Sequence, residues 1–135
     1  MNESSQFLAG KVFAVAGASK DREKYGNKIF LALQGGGRTV YPLNPVAKEI
    51  EGQTAFATIA ELPSVPDSLS IVTPPAVTKL IVDQALQAGI KNLWMQPGAQ
   101  NAEASQKARA AGCLVIDDGS CILVALSLLA SRTRT

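Results

Sequence analysis

Short apolar runs that end at glycine or proline recur along this chain, and they constrain its fold more than any other feature. Runs of this length, closed by turn residues, predict buried strands. Helix-forming segments of about 10–14 residues separate most of them, which predicts β-α-β units. The runs are KVFAVAG (11–17), RTVYPLNP (38–45), SLSIVTPP (68–75), IKNLWMQPG (90–98) and CLVIDDGS (113–120).

The intervening segments have helical spacing. Residues 27–37 predict a helix ended by a glycine run, and residues 101–112 predict one with Asn101 as its N-cap. Residues 76–89 predict an amphipathic helix ended by Gly89. The face expected to be buried in this helix consists of Val77, Leu80, Ile81, Ala85 and Leu86.

Right-handed crossovers between such units build a parallel sheet with helices on both faces. The sequence therefore predicts an α/β, Rossmann-like doubly wound parallel sheet in a single domain over residues 1–135. The expected strand order is 3-2-1-4-5-6, with a very short third strand near Gln53–Ala55. Residues 1–9 are expected to form an N-terminal arm or a short first helix.

Charge and composition narrow the classes of partner. The net charge of +2 gives no reason to expect nucleic acid or a membrane surface, and histidine is absent, which excludes a histidine base or metal ligand. Two cysteines without a signal peptide predict a reduced, cytoplasmic protein. The apolar run at 121–130 is too short to span a bilayer, so it either completes the core or pairs with a second copy in a homodimer.

One part of the chain is nonetheless basic. Between residues 11 and 48 there are seven lysines and arginines but only two acidic residues. A basic region in a nearly neutral protein favours a small anionic ligand over a merely solvated surface. The cations are Lys11, Lys20, Arg22, Lys24, Lys28, Arg38 and Lys48.

Ligands of doubly wound sheets bind outside the carboxyl ends of the strands. Four loops are expected to meet there, at residues 17–26, 44–48, 73–76 and 96–100, and three of them contain proline. Such stiffened loops favour a preformed cleft for a small-molecule ligand.

The first loop, GASKDREKYG (17–26), lacks the G-x-G-x-x-G pattern of dinucleotide-binding domains. The second strand ends in Asn44-Pro45, where an acidic residue would hold the ribose of NAD. Gly17 can still bring the backbone close to a phosphate, Ser19 can add a hydroxyl, and the lysines can neutralise a polyphosphate.

Several motifs together resemble the CoA-binding domain proteins, stand-alone relatives of the N-terminal domain of the succinyl-CoA synthetase α subunit. They are VAGAS (15–19), VYPLNP (40–45), IVTPP (71–75), AGIKNLWMQPGAQNAEA (88–104) and VIDDGSCI (115–122). The chain departs from the family pattern after Cys121, where relatives often continue with acidic or histidine residues.

The resemblance implies bound coenzyme A. It implies phosphate contacts from Gly17, Ala18 and Ser19, with Lys24, Tyr25 and Gly26 closing the same loop. It places the nucleotide at Asn44, Pro45 and Lys48, with Lys48 facing the 3′-phosphate. It lines the path of the ADP or pantetheine with Thr73, Pro74 and Pro75, and the far end with Gln96, Pro97 and Gly98.

Cys121 is a candidate contact for the ligand's thiol, because a cysteine at a helix start can be reactive; the alternative is a small buried residue. Cys113 is expected in the core, Asp117 and Asp118 in loop and capping roles, and either Trp94 or Met95 in the core.

Three functions follow as hypotheses. The first is a non-catalytic CoA or acyl-CoA binding protein, because no nucleophile or base is evident. The second is a component of an acyl-CoA synthetase that needs a partner. The third is an NAD(P)-binding redox sensor or oxidoreductase, in which Lys48 and Arg38 would suit a 2′-phosphate.

Overall fold

A computed structural model describes residues 2–133 of the chain. A parallel sheet of five strands, in the order β2-β1-β5-β6-β7, forms its centre. The strands are β1 (Val12–Ala16), β2 (Thr39–Leu43), β3 (Glu49–Ile50), β4 (Gln53–Thr54), β5 (Ser68–Ile71), β6 (Asn92–Met95) and β7 (Leu114–Ile116). The helices are α1 (Glu3–Leu8), α2 (Tyr25–Gly35), α3 (Pro75–Ala88), α4 (Ala102–Ala110) and α5 (Ile122–Thr133).

Helices cover both faces of this sheet. Alternate residues of each strand enter two separate cores: Ala14 and Leu69 pack with α3 and α4, whereas Phe13 and Val15 pack with α1, α2 and α5. Strands buried on both faces are characteristic of parallel sheets with crossover helices. The predicted α/β, Rossmann-like doubly wound fold is therefore confirmed.

The predicted third strand does not join the sheet. Gln53–Thr54 pairs antiparallel with Glu49–Ile50 in a separate hairpin, and only Phe56 bridges to Leu43 at the outer edge of β2. The predicted order 3-2-1-4-5-6 is thus reduced to five strands. Pro42 supplies a physical reason: its carbonyl accepts the Phe56 N–H at 3.0 Å, but it has no N–H to offer an outer strand.

Helix α3 buries part of the predicted face: Ala85 is buried, and Ile81 and Leu86 are partly buried against the same core. Its buried residues are Thr78, Val82 and Ala85, while Val77 and Leu80 are exposed. Thr78 tolerates burial because its hydroxyl forms a 2.8 Å hydrogen bond with the Thr73 hydroxyl. The positions of the apolar residues alone could not predict that a hydrogen-bonded threonine would be buried here.

The N-terminal segment forms a helix that packs on the sheet. Phe7 of α1 is fully buried, edge-on to the rings of Phe13 and Trp94 at centroid distances of 5.6 and 5.2 Å. The Ser68 hydroxyl donates to the Phe7 carbonyl at 3.1 Å.

Helix α5 contributes Ile122 to the core and leaves Val124 and Leu128 exposed. Within residues 2–133, no helix combines the length and apolar character that crossing a membrane requires.

Candidate functional site

Two glycines fix the first loop, residues 17–26, by backbone contact. Gly17 has φ +89°, and a Cβ there would lie 2.2 Å from the Val72 carbonyl oxygen. A Cβ on Gly26 would lie 2.0 Å from the Gly17 carbonyl oxygen. Both glycines are therefore required to pack the start of α2 and the end of β5 against this loop.

Helix α2 begins directly beside this loop. Its N-cap is Lys24, and no side chain among residues 2–133 caps the helix there. Uncapped amide groups at a helix start favour anions, because the N–H groups and the helix dipole both present positive charge. The sequence placed the phosphates of the ligand at this position.

Asn44 joins the first two loops. Its side-chain amide donates to the Ala18 carbonyl at 2.9 Å, and its oxygen accepts the N–H groups of Val46 and Ala47, each at 2.8 Å. The polar groups of this side chain are thus engaged within the protein. Asn44 shapes the two loops around the cleft.

An open groove lies between these two loops, with a volume of about 640 Å³. Lys20 and Lys48 in its lining are exposed, as is Lys24 beside it, and no carboxylate among residues 2–133 forms a salt bridge with any of them. We call this the charged groove; it is lined by Ser19, Lys20, Asp21, Asn44, Val46, Ala47, Lys48 and Glu49.

Glu51 and Asn27, which were not predicted from the sequence, stabilise the first loop. Glu51, in the turn between β3 and β4, forms an ion pair with Arg22 at 3.0 Å and accepts a hydrogen bond from Asn27 at 2.8 Å. The Arg22 guanidinium, followed by the Asn27 amide, lowers the pKa of the Glu51 carboxyl. The signal in the sequence was Gly52, a turn-favouring residue that directly follows Glu51.

The third loop begins α3. Pro74 is the N-cap and Pro75 the first helical residue, and proline is favoured in a first helical turn. Thr73 uses its hydroxyl to bond Thr78. None of the three lines the charged groove.

A smaller pocket, of about 140 Å³, lies at the other end of the same sheet edge. We call it the cysteine pocket; it is lined by Tyr25, Val72, Gln96, Pro97 and Cys121. Tyr25 belongs to the first loop, so this loop contributes to both cavities. Gly98 lies outside the lining, in a turn at φ +94°.

Gln96 organises the cysteine pocket. It is 3% exposed; its oxygen accepts the Ile122 N–H at 2.7 Å, and its amide donates to the Cys121 sulfur at 3.2 Å. Gln96 therefore caps α5 from a neighbouring loop and holds the cysteine at the pocket wall. Cys121 is partly exposed.

The neighbouring strand residues are both in the core. Trp94 and Met95 are fully buried on opposite faces of β6, where one of the two was expected to be buried. The indole N–H of Trp94 donates to the Ser120 carbonyl at 3.0 Å, next to Cys121.

The remaining polar candidates have structural roles. Asp117 forms an ion pair with Arg109 at 2.9 Å, and Asp118 accepts the Ser120 N–H at 3.0 Å, as expected for loop and capping residues. Cys113 is buried, as predicted, and burial raises the pKa of its thiol. Within the described residues, no cluster of three histidine, cysteine or acidic side chains could hold a metal ion.

Arg38 does not reach the site. It precedes β2, at the opposite edge of the sheet, and its guanidinium donates to the Leu8 carbonyl at 2.9 and 3.2 Å. The suggestion that Arg38 holds a 2′-phosphate is therefore wrong. The loop after β1 and the start of β2 are at opposite ends of a parallel pair.

Comparison with known sequences decides the family. The profile described as "CoA binding domain" matches residues 11–127. The chain belongs to the CoA-binding domain family. The resemblance predicted from the sequence motifs is thus confirmed.

Relatives of this CoA-binding domain include both large and small proteins. The chain is 33% identical over 90 residues to the α subunit of ADP-forming acetate–CoA ligase II of Pyrococcus furiosus, covering 64% of the chain and 19% of that subunit. It is 28% identical over 115 residues to the Bacillus subtilis protein YneT, covering 85% and 84% of the two chains. The chain therefore spans about a fifth of the length of the ligase subunit.

Solved structures share the fold of this CoA-binding domain. A hypothetical protein from Pyrococcus horikoshii superposes with a TM-score of 0.90 at 28% identity, covering 96% of this chain and 93% of that one.

Proposed function

We propose that this protein binds coenzyme A or an acyl-CoA without catalysing a reaction on it. The observation that carries the proposal is the pair of cavities served by one loop. The charged groove is open, and its lining includes Lys20 and Lys48 as well as the carboxylates of Asp21 and Glu49. The cysteine pocket is small and contains a thiol. Coenzyme A has matching ends, a phosphorylated nucleotide and an uncharged arm that ends in a thiol.

In this proposal the ligand's phosphates lie at Gly17, Ala18 and Ser19, beside the uncapped start of α2. Lys24 and Lys48 supply positive charge without having to leave a carboxylate partner. The backbone of Asn44 and Pro45 walls the nucleotide side.

The arm of the ligand then passes the third loop, at Thr73, Pro74 and Pro75. Tyr25 lines the cysteine pocket, and 59% of its surface is exposed. A ligand can therefore cover this ring without displacing another part of the protein. Gln96, Pro97 and Gly98 bound the far end, where the ligand's thiol approaches Cys121.

A non-catalytic role is supported by the way the polar side chains are used. Gln96, Asn44 and Asp117 are engaged in hydrogen bonds or ion pairs within the protein. General acid–base catalysis needs a titratable group within reach of the reacting atoms. The lining of the cysteine pocket has no carboxylate or lysine; its titratable side chains are Tyr25 and Cys121, and Cys121 accepts a hydrogen bond from Gln96.

The first test is calorimetric titration of ligand-free protein with CoA, dephospho-CoA, NAD and NADP. We expect saturable binding of CoA, weaker binding of dephospho-CoA because Lys48 loses its 3′-phosphate, and little binding of NAD or NADP. Equal affinity for NADP and CoA would contradict the proposal.

The contact between Cys121 and the ligand's thiol has its own test, thiol–disulfide exchange with CoA disulfide. The Cys121 thiolate attacks one sulfur of CoA disulfide, the sulfur–sulfur bond breaks, and one CoA leaves as a thiolate. We expect a reductant-sensitive adduct of CoA mass on Cys121 in peptide mass spectrometry, lost in Cys121→Ser. An adduct mainly on the buried Cys113 would place the thiol elsewhere.

A role as a component of an acyl-CoA ligase is the second candidate. It is favoured by the similarity to an ADP-forming acetate–CoA ligase subunit of which this chain spans 19%. An affinity-tagged copy should then co-purify with a second subunit and support CoA-dependent ADP formation. CoA binding without either result would favour the non-catalytic role.

A further inference from the structure

Glu51 adopts a backbone conformation that its residue type disfavours. Among residues 2–133 it is the one non-glycine residue with positive φ, at 49°, and Gly52 follows at 78°. A two-residue hairpin turn with both residues in this region normally has asparagine, aspartate or glycine first. An uncommon residue in a disfavoured conformation suggests that its side chain has a use.

The side chain of Glu51 connects the hairpin to two points of the first loop. Its carboxylate accepts two hydrogen bonds from the Arg22 guanidinium, at 3.0 and 3.1 Å. It also accepts from the Asn27 amide at 2.8 Å, and the same amide donates to the Ser19 carbonyl at 2.9 Å. Glu51 is therefore linked to Arg22 directly and to Ser19 through Asn27.

These contacts are partly shielded from water. The Glu51 side chain is 15% exposed and Asn27 is 1% exposed, whereas the Arg22 side chain is 78% exposed. Bidentate arginine–carboxylate pairs fix geometry as well as charge. The loop that holds Ser19 and Lys24 is thereby fixed near its start, at Ser19, and in its middle, at Arg22.

We propose that Glu51 is a positioning residue for CoA binding, holding the first loop in its binding conformation through Arg22 and Asn27. This inference rests on the proposed CoA binding. It adds a residue from outside the four loops at the sheet edge. Preorganisation of this kind raises affinity because the loop does not have to be ordered when the ligand binds.

Electrostatics alone predicts the opposite effect, which makes the proposal testable. Removing a carboxylate near the charged groove makes the surroundings more positive and should strengthen the binding of an anion. Loss of positioning should weaken it. Glu49, an exposed carboxylate in the lining of the same groove, provides the matched control.

The experiment measures CoA affinity and thermal midpoint for Glu51→Gly and Glu49→Gln. Glycine suits the positive φ, so we expect the thermal midpoint of E51G to stay close to wild type. Its affinity for CoA should fall by about tenfold, while E49Q binds CoA at least as tightly as wild type. Unchanged or tighter binding by E51G would overturn the proposal.

A double-mutant cycle with Arg22→Gln separates positioning from other effects. If Glu51 acts through Arg22, adding R22Q to E51G should weaken CoA binding less than R22Q does alone. Fully additive losses would contradict a role through Arg22.

Hydrogen exchange distinguishes failure of this inference from failure of CoA binding itself. In ligand-free protein, amides 18–24 should exchange faster in E51G than in wild type. Faster exchange without CoA binding by wild type would retain the positioning role and reject the ligand. Unchanged exchange would reject the positioning role.

Discussion

The charged groove and the cysteine pocket lie at the same edge of the sheet but depend on different interactions. In the charged groove, lysines are exposed and unpaired within the described residues, and the cavity is open. In the cysteine pocket, Gln96 is buried and hydrogen-bonded, and the cavity is about 140 Å³. Substituting the exposed lysines should therefore cost little stability, whereas substituting Gln96 breaks buried hydrogen bonds.

The largest expected loss of stability comes from a substitution in the first loop, which contributes residues to both cavities. Gly17→Ala places a Cβ 2.2 Å from the Val72 carbonyl oxygen at a positive φ. We expect a loss of about 3 kcal/mol or more in the free energy of unfolding, measured by urea denaturation.

Gly37→Ala is the matched control for this change. Gly37 also has a positive φ, at +84°, but no atom lies within 4 Å of its added Cβ. Its cost should be limited to the backbone term, about 1–2 kcal/mol. Equal losses in the two variants would show that the contact with Val72 does not matter.

The second effect should be confined to the charged groove. Replacing Lys24 and Lys48 together by glutamate should weaken CoA binding about a hundredfold or more, because it reverses two charges near the phosphates. The thermal midpoint should hardly change, since neither lysine has an ion pair within the described residues.

The control variant replaces Lys11 and Lys91, which precede β1 and β6 at the other edge of the sheet, by glutamate. It changes the net charge equally, so its CoA affinity should stay much closer to wild type. Equal weakening would indicate a general charge effect and remove Lys24 and Lys48 from the site.

The third prediction concerns the cysteine pocket, where a substitution should lower stability more than it lowers CoA affinity. Gln96→Leu leaves the buried Ile122 N–H without its acceptor, which should cost about 1–3 kcal/mol in the free energy of unfolding. CoA affinity should fall by less than about tenfold. Gln100→Leu is the control, because its oxygen accepts an N–H in an exposed turn that water can reach.

The smallest effect concerns pH. The Arg109 guanidinium holds the pKa of the Asp117 carboxyl below its usual range. The stabilisation of the folded protein by this ion pair is therefore fully present above the pKa of Asp117 in the unfolded chain, about 3.9. It is lost as the pH falls through the lower pKa of Asp117 in the folded protein. Asp117→Asn should cost less than about 1 kcal/mol near pH 7, and this cost should shrink in acid.

Denaturation across pH 2–7 checks the prediction, with Arg109→Gln as the background for comparison. Without the arginine, the cost of D117N should vary much less with pH. A cost that stays constant in both backgrounds would assign Asp117 a role independent of its charge.

The features of the fold that were predicted correctly from the sequence are those fixed by residues close together in the chain. Strands that end at glycine or proline, and the Asn101 cap, follow from neighbouring residues, and the structure contains them. The buried face of α3 was predicted only in part, because Thr78, which the prediction left out, is satisfied by a hydroxyl five residues away. The predicted strand near Gln53 forms, but it stays outside the main sheet because Pro42 has no N–H to donate to it.

The site was harder to predict from the sequence than the fold, because its contacts join residues that are distant in sequence. The first and second predicted loops line one cavity and the first and fourth line another, but Glu51 and Arg22 are 29 residues apart and no pattern links them. The engagement of Asn44 within the protein also depends on where Ala18 lies in space. Hydrogen-bond partners distant in sequence decide which polar side chains remain available to a ligand.

Trp94 gives the molecule an internal optical reporter. It is the sole tryptophan of the chain, and its indole N–H is bonded to Ser120, the residue before Cys121. Its emission should therefore respond to occupation of the cysteine pocket far more than to occupation of the charged groove. Stopped-flow fluorescence with CoA and with a nucleotide fragment that lacks the arm would time the arrival of the thiol end, without any label added to the protein.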